Sequence, residues 1–398
     1  MARFGIDFGT TNSVVARPGG PSISLGTDGV FRSILAFLGS AGRHVAGPPA
    51  AEAYLDDPEA CRLMMSLKSH LGEPSLRDTL VFGRSMALEA LIATFLRHLL
   101  AAAGVPPGAP VTAGRPVRFV GMRADDALAE SRLREAFALA GITDLTLALE
   151  PEAAGARFAA GLTQPANVLV GDFGGGTSDF SVLRFTPGAR AVALGHAGIG
   201  IAGDDFDAAI LRHAVAPLLG QGGEYTPFEQ PMPIPAAYFD GFQRWHRLAQ
   251  MRTPKMLREI ADVARRSSVP RELEWLRMLI EDEQGLALNA AVVAAKRALS
   301  SGPEALFTFH HRDIHIERRI TRAEFETWIA RDIARIAACV DAALADARCT
   351  EAAIDHVFLT GGSALVPAVR AVFEARFGAA RLAGGGEFLA VAEGLALL

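Results

Sequence analysis

Cysteine is scarce. Three residues in a chain of 398, Cys61, Cys339 and Cys349, are too few to staple a fold of this length, and they read as reduced packing residues. No apolar run reaches the roughly 18 uninterrupted residues of a membrane-spanning helix. The N-terminal stretch, Met1-Ala2-Arg3 running into Phe4-Gly5-Ile6, lacks the apolar segment and cleavage site of a secretory signal, so the expected compartment is the cytoplasm. There is no long basic block and the net charge is −5, which argues against electrostatic capture of nucleic acid or of an anionic membrane. Lysine is the scarcest charged residue: of 39 basic residues, three are lysine (Lys68, Lys255, Lys296) and 36 are arginine. Arginine offers a planar fork, whereas lysine offers a compact ammonium able to point at one phosphate oxygen. Lysines kept against such a bias are therefore candidates for chemistry. What is present is ordinary for a globular protein: half the residues are apolar and 21% charged, in a length suited to two or three domains.

Two hairpins of one design stand far apart in the chain. Residues 3–8, Arg-Phe-Gly-Ile-Asp-Phe, carry Asp7 near the end of an apolar run, enter the small-residue turn Gly9-Thr10-Thr11-Asn12-Ser13 and resume as Val14-Val15-Ala16. The plan recurs where residues 167–173, carrying Asp172, enter Gly174-Gly175-Gly176-Thr177-Ser178 and leave through Asp179-Phe180-Ser181-Val182-Leu183. Such repetition suggests duplicated domains. Apolar periodicity predicts helices over about 86–103, 125–140, 204–219, 281–300 and 322–347, and strands over about 110–117, 145–149 and 356–360. This alternation is that of an α/β protein with covered sheets. The Gly- and Pro-rich stretch 220–235 reads as an irregular loop.

Each hairpin sets a carboxylate beside backbone N–H groups that no bulky side chain shields, an arrangement able to wrap phosphates. Carboxylates repel phosphates, so Asp7 and Asp172 would act through a hard cation such as Mg²⁺, which keeps several of its waters. Neither turn is a P-loop, because Gly-x-x-x-x-Gly-Lys-Ser/Thr is absent, and neither opens a helix as a dinucleotide fingerprint does. A third turn, Thr360-Gly361-Gly362-Ser363, lies between an apolar strand and a helix beginning near Val366, and suits the polar edge of a base or ribose. His310, His311 and His315 read as part of a strand with polar faces rather than a metal cluster. The Arg-rich stretch 252–277, with Trp275, reads as a solvated helical face, with contact to a partner as the alternative.

These residues resemble the seventy-kilodalton heat-shock chaperones. Gly5-Ile-Asp-Phe-Gly-Thr-Thr-Asn-Ser is similar to that family's first phosphate motif, Asp172-Phe-Gly-Gly-Gly-Thr-Ser-Asp to its second and Leu359-Thr-Gly-Gly-Ser to its adenosine motif. Glu150-Pro-Glu-Ala-Ala-Gly and Ala390-Val-Ala-Glu-Gly resemble its two connecting motifs, while Gly203-Asp-Asp-Phe-Asp and Lys296-Arg-Ala-Leu-Ser match further segments. Ser66-Leu-Lys-Ser-His-Leu-Gly and Gly114-Arg-Pro-Val-Arg-Phe are similar to short bacterial members of the YegD type, which consist of the ATPase portion alone.

The resemblance implies an actin-like ATPase fold, a duplicated ribonuclease H-like motif in which two lobes, each with a smaller subdomain, surround a nucleotide cleft. On that plan lobe I is residues 1–164, with a core of 1–35 and 88–164 and a small subdomain of 36–87. Lobe II is 165–398, with a core of 165–202 and 325–382, a small subdomain of 203–324, and a segment 383–398 returning to lobe I. The resemblance also implies ATP/ADP with Mg²⁺, and K⁺ near Asp179. Gly9, Thr10, Thr11 and Asn12 would contact metal and phosphates from one lobe, and Gly174, Gly175, Gly176 and Thr177 from the other. Asp7 and Asp172 would organise cations through water. Lys68 matches the catalytic lysine, Glu150 an acidic group near the attacking water, and Thr177 a further catalytic position. Gly203, Lys296, Arg297, Ser300, Gly361, Gly362 and Ser363 match nucleotide contacts.

Departures fall on the adenosine side. Val293 stands where the family carries a ribose-binding glutamate, Leu365 where an arginine meets adenine, and Phe388 in place of an aspartate. Weaker ATP binding or relaxed base selectivity is the expectation. The chain ends at Leu397-Leu398, just after the second connecting motif, so no peptide clamp is expected. The functional expectation is a slow ATPase, monomeric, switching an unidentified protein partner, with no nucleic acid or membrane involved. A small-molecule kinase on this fold, and a non-hydrolysing or filament-forming actin relative, are the alternatives.

Overall fold

A computed structural model describes all residues except 1–2, 27–28, 40–41, 58–59, 121–123, 160–161, 188, 190, 228–229, 241–250 and 384–388, and describes only the backbone of 159 and 240. Two compact units emerge, Met1–Gly203 with Ile333–Leu398, and Asp204–Asp332. In chain order the strands are β1 (Phe4–Phe8), β2 (Asn12–Ala16), β3 (Phe31–Arg32), β4 (Ile34–Leu38), β5 (Arg43–Ala46), β6 (Cys61–Met65), β7 (Asp78–Val81), β8 (Arg84–Ala87), β9 (Val111–Arg115) and β10 (Leu145–Leu149). After these come β11 (Ala166–Phe173), β12 (Ser178–Phe185), β13 (Val192–Ile199), β14 (Glu224–Tyr225), β15 (Met232–Pro233), β16 (Glu304–His311), β17 (Ile314–Thr321), β18 (His356–Thr360) and β19 (Leu382–Ala383).

The first unit holds two five-stranded mixed sheets on one plan, ordered β10-β9-β1-β2-β3 and β13-β12-β11-β18-β19. In each, a central strand pairs antiparallel with its hairpin partner on one side, β1 with β2 and β11 with β12. On the other side it pairs parallel with a later strand, β1 with β9 and β11 with β18. The order β5-β4-β6 and the β7–β8 hairpin add small sheets to the same unit. The fold is thus mixed α/β with a duplicated sheet, consistent with the paired lobes of an actin-like ATPase.

Alternation along the strands sets which side chains are buried. Ile6 and Phe8 pack into a core shared with Leu96 of the helix Leu88–Ala102 and with Leu133 and Phe137 of the helix Asp126–Leu139. That second helix is capped by Asp125, whose carboxylate accepts from the Leu128 N–H at 3.0 Å. In the other sheet Val168, Val170, Leu183 and Phe185 pack against Ala153, Ala154, Val391 and Leu395, while Phe173 and Phe180 meet the ring of Phe373 on the helix Pro367–Phe377.

The helices Glu150–Ala159 and Ala390–Leu395 meet where the two connecting motifs were read. A Cβ on Gly394 would lie 1.7 Å from the Ala153 carbonyl oxygen, and one on Gly5 would lie 2.0 Å from that of Ala392. Backbone therefore touches backbone at both points, and only glycine allows it.

Several elements differ from their periodicity. The helix expected over 204–219 is α-helical over Gly203–Ile210, widens into a π-type turn at Leu211–Val215 and tightens to a 3₁₀ turn at Ala216–Leu219. Pro217 has no N–H to continue the ladder, which accounts for the change. The helix expected over 281–300 starts at Gly285, because the chain turns at Glu283 (φ 54°) after a separate helix Pro270–Glu281. The 220–235 stretch carries the short β14–β15 pair rather than being wholly irregular. All three cysteines are free, and Cys61 and Cys339 are buried. Among the described residues no helix is long and apolar enough to cross a membrane.

Candidate active site

Both hairpins turn in four residues. Pairing of Phe8 with Ser13 leaves Gly9–Asn12 as one tip, and pairing of Phe173 with Ser178 leaves Gly174–Thr177 as the other. The second is closed by the Gly174 N–H donating to the Thr177 carbonyl at 2.9 Å. A Cβ on Gly176 would lie 3.9 Å from Thr10 Oγ1 and equally far from Ser69 Oγ, so the tips stand side by side, with the Lys68 turn against them. Asp172 pairs across the ladder with Asp179 and, on its other side, with Thr360 of β18.

Lys68 arrives from the small-sheet region. Ser66 sits in the left-handed region (φ 51°) and starts the 3₁₀ turn Leu67–His70, which leaves the Lys68 ammonium donating to Glu150 Oε1 at 2.5 Å. Both side chains are under a tenth exposed. Glu150 is the first residue of its helix, directly after β10. Room for it comes from Gly114, where a Cβ would lie 2.9 Å from Glu150 Cγ.

The charges do not balance. Burial pulls the Lys68 ammonium down, but Glu150, Asp7 and Asp172 outweigh it and hold the lysine above its ordinary value. Asp7 is pushed up to about 7 by desolvation and by Glu150, with Lys68 only partly opposing. Asp172 is raised well above its ordinary value by burial, then by Glu150, Asp7 and Asp179. Asp179 is driven up to about 7 by burial and Glu150, against the Thr177 hydroxyl and the Arg118 N–H that favour its ionised form. Its Oδ1 accepts from the N–H groups of Val117 (3.0 Å) and Arg118 (3.4 Å), and Gly198 leaves space for it. Behind it, burial and the Asp179 carboxylate raise the Cys339 thiol to about 12.

Four carboxylates thus share one ammonium, and surplus buried negative charge on hard oxygens fits a cation such as Mg²⁺. Among the described residues no group of three or more His, Cys, Asp or Glu side chains is placed to hold a metal by itself. Such a cation would therefore complete its shell with water and phosphate oxygens.

The third turn meets the second tip through Gly361 (φ +87°), where a Cβ would lie 2.1 Å from the Phe173 carbonyl oxygen. Gly362 and buried Ser363 open a 3₁₀ turn, and Leu365 stands 53% exposed at its end. The Gly203 N–H reaches the Gly174 carbonyl at 3.4 Å. In the second unit Lys296, Arg297 and Ser300 share the helix Gly285–Ser301, where Ser300 Oγ donates to the Lys296 carbonyl. Lys296 Nζ lies 2.8 Å from Asp207 Oδ1, a buried carboxylate raised by desolvation against the pull of Lys296 and Arg297. Val293 is half-buried on that helix, and Phe388 lies outside the described residues.

Sequence reasoning did not single out Asp207, although it belongs to the quoted Gly203-Asp-Asp-Phe-Asp segment, nor the Val117 and Arg118 amides, which leave no trace in side-chain chemistry. His310 and His315 face each other in the β16–β17 hairpin, and His311 pairs with Asp282 at 2.8 Å, as a strand with polar faces requires.

A duplicated mixed sheet with glycine-tipped hairpins presenting acidic residues to a buried lysine defines the actin-like ATPase class. The model of the Hsp70 protein family matches residues 129–221 and 280–398, more than half of the chain, and the protein belongs to that family. Membership implies ATP binding, and members typically bind ATP with Mg²⁺. The matched residues hold Glu150, Asp172 to Asp179, Gly203, Lys296 and Gly361 to Ser363; Asp7 and Lys68 precede them and are joined to them by the geometry above.

Proposed function

We propose that the protein hydrolyses ATP slowly and serves as a nucleotide switch for a protein partner, acting in the cytoplasm as a YegD-type member built on the four-part division given above. The observation that carries the reading is the Lys68–Glu150 pair, set beside two hairpin tips whose carboxylates lack enough positive charge. Asp7 and Asp172 would hold Mg²⁺ through its waters, and Asp179 a K⁺ ion; when bound, the divalent ion supplies charge neutralisation at the phosphates.

The protein's own groups account for the remainder. Backbone N–H groups of Gly9 to Asn12 and of Gly175 to Thr177 cradle phosphate oxygens from two sides, with Gly174 closing the second turn beneath them. Lys68 exchanges its bond to Glu150 for the oxygens of the transferred phosphoryl group, where charge develops. Glu150, released from the ammonium, accepts a hydrogen bond from the attacking water and orients it for in-line displacement. No covalent intermediate is required. Gly361 to Ser363 would contact the nucleoside.

Single-turnover hydrolysis with parallel ATP titration tests this. Lys68→Ala and Lys68→Arg are expected to keep ATP affinity within a few-fold while slowing hydrolysis by roughly 10²–10³-fold, the scale of one lost transition-state donor. An unchanged rate in Lys68→Ala removes the lysine from the reaction.

A further inference from the structure

Lys68 does not sit on a regular element. It occupies one 3₁₀ turn, and the chain then runs through residues 71–76 without helix or strand before β7 begins at Asp78. Leu71 and Gly72 are buried and Glu73 to Ser75 are exposed, so the carbonyls at the buried end need protein donors. The main donor is one side chain. Arg132, projecting from the helix Asp126–Leu139 and only 8% exposed, donates from Nη1 to the carbonyls of Leu71 (3.1 Å) and Glu73 (3.0 Å) and from Nη2 to that of Leu76 (2.8 Å). Its Nε lies 3.0 Å from Glu89 Oε1, on the first turn of the helix Leu88–Ala102. Backbone bonds add to these: the Asp125 N–H donates to the Gly72 carbonyl at 2.9 Å, the Glu73 N–H to that of His70 at 3.1 Å and the Leu76 N–H to that of Glu73 at 3.2 Å.

We infer that Arg132 is a positioning residue for Lys68, fixing the turn from which the ammonium swings between Glu150 and phosphate. The Leu71 N–H bonds the Lys68 carbonyl at 3.3 Å, and the Leu71 carbonyl is held by Arg132, so the clamp begins three residues from the lysine. Only a planar guanidinium can serve several carbonyls and a carboxylate at once; an ammonium has the charge but not the fork. Burial of an arginine on neutral carbonyls is costly unless every bond is made, and Glu89 supplies the counter-charge. The clamp joins two helices of the first sheet's core to the one catalytic group that arrives from the small-sheet region.

The inference rests on the proposal that Lys68 acts on ATP, but its test is independent of turnover because the chain has three lysines. Amine acetylation followed by mass spectrometry reads Lys68 against Lys255 and Lys296, and thiol labelling of buried Cys339 reports opening of the same unit. In Arg132→Gln, acetylation of Lys68 is expected to rise about tenfold with Lys255, Lys296 and Cys339 unchanged. Hydrolysis is expected to fall by roughly 10²-fold while ATP affinity holds within a few-fold. Arg132→Lys, which keeps the charge beside Glu89, serves if the glutamine variant does not fold; it is expected to leave Lys68 equally reactive. Unchanged Lys68 reactivity, or Cys339 labelling that rises in step with it, overturns the inference. Absence of ATP hydrolysis in the unmutated protein overturns the functional proposal instead, and the acetylation result still decides the role of Arg132.

Discussion

The two glycine-tipped hairpins share a loop length, a sheet position and an aspartate before the turn, yet they carry charge differently. Opposite Asp7 on the neighbouring strand stands Val14; opposite Asp172 stands Asp179. The second hairpin therefore buries two carboxylates side by side, and the amides of Val117 and Arg118 with the Thr177 hydroxyl are recruited to support one of them. The first hairpin has a single carboxylate, with Lys68 nearby to oppose it. The duplicated scaffold has been divided into a half that concentrates negative charge and a half that brings the cation to it.

The sharpest way to test that division is to remove its charges. Asp172→Asn and Asp7→Asn are each expected to slow single-turnover hydrolysis by roughly 10²-fold or more. Without Mg²⁺ both should raise the thermal midpoint, Asp172→Asn more, because it relieves repulsion from three carboxylates. Equal midpoint gains would remove the asymmetry.

Sterics separate the tips next. A Cβ at Gly9 would lie 2.1 Å from the Asn12 carbonyl oxygen, whereas at Gly174 the matching distance to Thr177 is 3.4 Å. Gly9→Ala is therefore expected to cost about 3 kcal/mol and Gly174→Ala under about 1 kcal/mol in chemical denaturation.

Proton linkage gives a smaller effect with a defined sign. Asp7 and Asp179 bind protons more tightly in the folded chain, up to about 7 against an ordinary value of 3.8. Their contribution to stability is complete below the ordinary value and is lost as pH rises through about 7. The midpoint of metal-free protein should thus fall by several degrees between about pH 4 and about pH 7 and level off above that. Mg²⁺ with ATP should flatten that fall, since the bound cation favours the ionised carboxylates. Thr177→Ala is expected to cost about 1 kcal/mol from the lost hydroxyl bond to Asp179, with Thr177→Ser restoring it.

The hairpins, the helices ending near Ala103, Leu139 and Asp346, and the strands Leu145–Leu149 and His356–Thr360 were legible because period and turn chemistry agree there. The strands β4 to β8 were not, since short half-exposed segments such as Arg43–Ala46 carry little alternation and gain their order from partners distant in sequence. At the site, carboxylates and lysines announce themselves by type. The clamp of Arg132 on three carbonyls does not, for in a chain with 36 arginines nothing local marks Arg132 as buried. The Asp207 partner of Lys296 was hidden for a related reason: its segment was recognised as a whole, without a role for each letter.

Glycines 5, 361 and 394 each press main chain against main chain, on Ala392, Phe173 and Ala153. Every amino-acid replacement of a glycine adds at least one carbon, so no substitution at these three sites is conservative. A saturation library read out by survival should show three empty columns far apart in the alphabetic record, marking where main chain is seated on main chain without any side chain to take up slack.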